Sequence, residues 1–288
     1  MNSSRQLNVT NARHTTQPSS MLRILRAQGL AWRPSRDTLV VLLSYGLVVA
    51  GLYTAFQVFT TDRVAANFIT FGPVTLAGLG IALPVLYTVL VRRRPLTDLG
   101  LTARHLLPSL ILGLLLGWDT YSNTLGNLNL VWTRDAVPLV VMALAVGLFE
   151  AIFFRGWLQL RFEEAFGVVP AVVLGAVCYS LYHVGYGMDW NEMLFLFGLG
   201  LVFAAVFRLT KNVAVLWPFY TPIGGLYTNL TEGLTMPFEA TYGFVLTLGL
   251  MPAIIVTGVL VRRQRMRTEH SMASLNPITS HDPGQGLN

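Results

Sequence analysis

The chain has 288 residues, 53% hydrophobic and only 12% charged, with a formal net charge of +6. Soluble domains carry roughly a quarter charged residues, so this composition excludes an ordinary soluble fold and indicates a polytopic membrane protein. The basic residues flank apolar stretches and form no groove of cations interleaved with aromatics, which argues for a role in topology and against a nucleic-acid partner.

In chain order, residues 1–36 hold scattered arginines and no acid, and are expected to form a cytoplasmic tail, disordered apart from the interfacial stretch MLRILRAQGLAW. The same composition also fits an organellar transit peptide, whereas nothing before Thr38 has the apolar core of a secretory signal. Apolar runs follow at 38–61, 66–91, 106–118, 136–160, 168–186, 193–209, 212–231 and 242–261, most of them close to the ~20 residues that a spanning helix needs. The expected fold is therefore all-α, a membrane bundle of about eight helices over 37–262, the third the weakest, with a polar cytoplasmic tail over 263–288.

Seventeen of the twenty basic residues fall on one side if the N-terminus is cytoplasmic; Arg63 and Arg134 fall opposite, and Arg155 lies within a span. This asymmetry predicts a multi-pass protein, of the plasma membrane, with both termini cytoplasmic. The lone cysteine, Cys178, lies in an apolar run, so no intrachain disulfide forms. Gly113 and Gly117 read as a close helix contact. Asp189, Asn191, Glu192, Asn229 and Glu232 read as solvated loop residues of the opposite side.

Between Asp135 and Arg161 the only ionisable side chains are Glu150 and Arg155, in FEAIFFRGWLQLRF. Each costs about 2.5–3.5 kcal/mol at mid-membrane on insertion scales, so the pair is either functional or a polar staple between helices. His183, in CYSLYHVGYG, is the one histidine set well inside a predicted span. If the two segments form a hairpin turning at Phe166–Gly167, Glu150 lies 16 residues before the turn and His183 16 after it. At ~1.5 Å per residue both sit roughly 25 Å from the turn, at one depth. A carboxylate and an imidazole so placed can activate water, the Glu as general base and the His holding the water or donating to an oxyanion.

EAIFFRGWLQ, followed by YSLYH and then LFLFGLGLVFAAVFRLTKNVAVLW, resembles the CPBP family of intramembrane proteases, which includes the type II CAAX prenyl endopeptidases and bacterial Abi proteins. DLGL at 98–101 adds to the likeness, which covers about 95–232. The resemblance implies that Glu150 is the catalytic glutamate, Arg155 the motif arginine and His183 the first water-binding histidine, with Tyr179 in place of the usual phenylalanine.

The chain departs from the family pattern twice. Ala151 stands where a second glutamate would pair with Arg155 four residues on; Glu150, five residues away and on another α-helical face, is a poor substitute, so Arg155 is expected to find carbonyls or another helix. The second histidine is also missing: one register offers Tyr220 with Gly224, another Gly225 with Asn229. Tyr220 could donate to an oxyanion but cannot act as a base near neutral pH.

No H-E-x-x-H is present, and one Glu with one membrane His is too small a ligand set for catalytic zinc, so no metal or organic cofactor is expected. The leading reading is a glutamate-dependent intramembrane endopeptidase whose partners are membrane lipid and a membrane-associated peptide or protein, of CAAX type by resemblance. The alternatives are a catalytically impaired protein of the same fold acting by binding, as an immunity or scaffold protein, and a small transporter using Glu150 and Arg155. No inverted repeat of the transporter kind is visible.

Overall fold

The computed structural model describes residues 29–59, 63–127, 134, 136–231 and 233–275. Eight helices follow one another, with no strand among the described residues: α1 (Arg36–Val58), α2 (Val64–Val91), α3 (Leu106–Asn123), α4 (Ala136–Phe166), α5 (Val168–Tyr186), α6 (Trp190–Thr210), α7 (Thr221–Thr231) and α8 (Ala240–Leu275). The tail before residue 29 and the chain beyond 275 lie outside the described residues.

Six of these helices, α1, α2, α4, α5, α6 and α8, are long and apolar enough to cross a membrane. Their outward faces carry exposed side chains such as Leu39, Leu43, Leu194, Phe195 and Val245, as lipid contact requires. The chain is an integral membrane protein with the all-helical fold its composition predicts. The expected count of eight spans is corrected. The run at 106–118 forms an 18-residue helix, but its last turns are the polar WDTYSN. The run at 212–231 breaks at its centre: Pro218 lies in the turns there, and Pro222 sits in the first turn of the helix that follows, where its missing amide costs nothing. It becomes a 3₁₀ turn at Val213–Val215, further turns, and a helix of only 11 residues. Helix α8 continues through Leu275, so the first part of the segment expected as the C-terminal tail, residues 263–275, is helical.

Helix α4 is the axis of the bundle: 72% of its most apolar stretch is buried, against 22% for α8. Phe149, Phe153, Phe154 and Trp157 fill the space between it and its neighbours. Glycines let backbones meet around it. Gly113 and Gly117 of α3 lie against the carbonyls of Val215 and Phe219, so this spacing is the close contact expected of it. Gly156 faces the carbonyl of Leu99 so closely that a methyl group there would collide with it. The DLGL segment thus docks its backbone on α4 one residue after Arg155.

Asn212 secures the same region. Its Nδ2 donates to the carbonyls of Thr102 and Arg104 at 3.0 Å each, its Oδ1 accepts from the Ala214 amide, and the Val213 amide donates to Gly100. At this end of the bundle the basic residues meet carboxylates: Arg92 pairs with Asp37 and Glu164, Arg161 with Glu164, and Arg208 and Lys211 with Glu163. At the other end Asp189 and Glu192, expected in solvated loops, form a reciprocal cap for α6: the Glu192 amide donates to Asp189 and the Asp189 amide to Glu192.

Candidate active site in the bundle core

Glu150 is the last residue of the α-helical part of α4; from Ala151 to Gln159 the helix widens into π-helical geometry. This changes which residues share a face. In an α-helix, residues five apart point roughly 140° away from each other. In a π-helix the hydrogen bonds run from i to i+5 and stack such residues one turn apart. Glu150 and Arg155, expected on different faces, both turn toward α5, where each interacts with Tyr179.

The hairpin forms where the sequence predicts it. Helix α4 ends at Phe166, Gly167 takes φ +87, a value that favours glycine, and α5 begins at Val168. The two helices return antiparallel, and the depth match places the His183 end of α5 beside Glu150. The last part of α5, Tyr182–Tyr186, tightens into a 3₁₀ helix that stops at Gly187, φ +86.

The buried Glu150 carboxylate accepts a short hydrogen bond from the hydroxyl of Tyr182, and the Tyr179 hydroxyl interacts with it as well. His183 does not touch Glu150 directly; its ring packs on Tyr182, with centroids 4.1 Å apart. His183 Nδ1 lies 2.9 Å from the Tyr179 carbonyl. A carbonyl can only accept, so Nδ1 carries the proton and Nε2 keeps its lone pair for another donor.

Arg155 is 1% exposed. Its guanidinium carbon lies 5.2 Å over the Tyr179 ring, and its two Nη atoms have no hydrogen-bond partner among the described residues. With Ala151 at the position of a second carboxylate, the cation is held by an aromatic face. Of the two expected partners, another helix thus supplies one, through the Tyr179 ring of α5, and no carbonyl accepts from the Nη atoms among the described residues.

Of the two third-motif positions, neither reaches the carboxylate through a contact seen here. Tyr220 is buried with its ring 4.9 Å from Phe203, which in turn packs on Tyr179, so one ring separates it from the site. Asn229 is half-buried on α7, where its carbonyl accepts from the Leu234 amide. Among the described residues no group of three or more His, Cys, Asp or Glu is arranged to hold a metal ion. The residue that sequence reasoning missed is Tyr182: it precedes His183 directly and looked like one more aromatic in an aromatic helix.

A family model described as Rce1-like, type II CAAX prenyl endopeptidase Rce1-like, matches residues 131–221. No curated protein and no solved structure matches the chain. The matched segment, about a third of the chain, contains Glu150, Arg155, Tyr179, His183 and Tyr220 and stops short of Asn229. The match falls on the motif residues themselves, so the chain is similar to this family over the segment that carries Glu150, Arg155 and His183.

Proposed function

We propose that the protein is an intramembrane endopeptidase in which Glu150 activates water against a peptide bond of a membrane-associated protein. The observation that carries this reading is the buried Glu150 carboxylate at the centre of α4, met across the Gly167 hairpin by the Tyr182–His183 end of α5. The family suggests CAAX-type protease activity, and the match lies over these residues. In the proposed reaction Glu150 takes a proton from water as the water oxygen bonds to the scissile carbonyl carbon. The same proton then passes to the amine that leaves as the C–N bond breaks. His183, with Nε2 as acceptor, orients the attacking water, and Arg155 holds the Tyr179 ring beside it.

The orientation with both termini cytoplasmic belongs to the same proposal and rests on the basic asymmetry. It is supported by the gathering of Arg92, Arg161, Arg208 and Lys211 at one end of the bundle.

A second reading, a protein of this fold that acts by binding, is favoured by Ala151 and by the lack of a histidine at either third-motif register. Purified protein in liposomes, offered membrane-anchored peptides with isoprenylated C-terminal cysteine motifs, separates the two. Cleavage by wild type that is lost in both Glu150→Gln and His183→Ala supports the protease. Retention of peptide without cleavage by the folded wild type supports the binding protein.

A further inference from the structure

Tyr182 has no assigned role, yet it has the most direct hold on Glu150. It is fully buried, and its ring is enclosed by Phe149, Phe154, Tyr179, His183 and Tyr186, with centroid distances from 4.1 to 6.3 Å. A phenylalanine would keep every one of these ring contacts. Only the hydroxyl distinguishes tyrosine here, and burying a hydroxyl with no acceptor costs about 1–3 kcal/mol. Its acceptor is Glu150 Oε1, from the one carboxylate in the middle of α4.

Amide hydrolysis also creates a need for a hydrogen-bond donor beside the reacting carboxylate. The developing oxyanion requires a donor, and preorganised donors of this kind carry much of the rate enhancement of acyl transfer. His183 spends its Nδ1 proton on the Tyr179 carbonyl, which leaves Nε2 an acceptor. Arg155 lies over Tyr179, and Tyr220 lies behind Phe203. The Tyr182 hydroxyl is a neutral donor already aimed at the reacting carboxylate.

Resting on the protease reading above, we propose that Tyr182 is a further catalytic residue, filling as a hydrogen-bond donor the place left by the missing second histidine. Its hydroxyl holds Glu150 Oε1 before reaction. Once Glu150 has taken the proton of water it is a neutral and weaker acceptor, and the Tyr182 hydroxyl turns its hydrogen bond to the oxyanion. No covalent bond to Tyr182 forms, and its own proton is not lost, since a phenol is not a base near neutral pH.

Tyr182→Phe tests this in two ways. In liposome cleavage assays we expect kcat to fall by about 10²-fold, the scale of losing one oxyanion donor, with KM changed less than about twofold. A kcat equal to wild type, in a wild type that cleaves, overturns the proposal, as does an equal loss traced to unfolding, which Tm in detergent and a Tyr182→Leu variant lacking the ring reveal. The second readout needs no substrate. The infrared difference between wild type and Glu150→Gln isolates the carboxyl band of Glu150, and Tyr182→Phe should shift that band. An unmoved band overturns the hydrogen bond and the proposal with it. If wild type cleaves nothing while the band shifts, the protease reading fails and takes the catalytic role of Tyr182 with it, leaving Tyr182 and Glu150 as a structural pair.

Discussion

The charged groups at the basic end of the bundle and those in the middle of α4 are built on opposite plans. At the end, Glu164 lies 3.1 Å from both Arg92 and Arg161, Glu163 lies 3.3 Å from Arg208, and Asp37 accepts from Tyr87 as well as pairing with Arg92. In the middle, Glu150 accepts from the Tyr182 hydroxyl and Arg155 lies over an aromatic face, with neither Nη atom hydrogen-bonded among the described residues. Carboxylates paired with cations tie helices together at the end. One helix thus carries ion-paired acids at its end and, at its centre, an acid met by a neutral hydroxyl, the one proposed to react.

Substitutions that leave one region intact while changing the other sharpen this contrast. After Glu150 itself, the largest effect is expected for His183→Ala, with cleavage reduced roughly 10²-fold and Tm in detergent nearly unchanged, measured by initial rates in liposomes. Gly156→Ala should act through the fold: the added methyl meets the Leu99 carbonyl, and overpacking of this kind costs about 1–3 kcal/mol or more, read as a lower Tm with loss of activity in proportion to unfolded protein. Asn212→Ala removes two side-chain donations and one acceptor between the 100–104 loop and the chain before α7, which should cost about 1–2 kcal/mol of stability by thermal unfolding. Glu164→Gln is expected to be mildest, since its side chain is half-exposed, with a loss of at most about 1 kcal/mol and an unchanged kcat. A large loss of kcat in Glu164→Gln would break the division between the two regions.

Much of this was legible in the sequence because it depends on chain length and on residue type. The lone Glu150 and lone His183, equally distant from the Phe166–Gly167 break, define the hairpin by counting alone, and EAIFFRGWLQ with YSLYH carries the family resemblance. The relation of Glu150 to Arg155 was not legible, since it depends on the π-helical turns of 151–159, and hydrophobic periodicity does not register an i to i+5 ladder inside an apolar run. Tyr182 was hidden for a related reason: its significance lies in one hydroxyl, and the aromatic density of CYSLYHVGY reads as packing until the acceptor is seen. The run 212–231 has the hydropathy of a span but not its backbone, because the turns around Pro218 and the Asn212 contacts outweigh average apolarity.

The most direct test compares Glu150→Gln with Glu164→Gln in liposomes containing an isoprenylated membrane-anchored peptide, with folding checked by Tm. We expect wild type and Glu164→Gln to cleave at similar rates and Glu150→Gln to lose roughly 10³-fold while remaining folded. Cleavage by Glu150→Gln at the wild-type rate would contradict the assignment of Glu150 as the base.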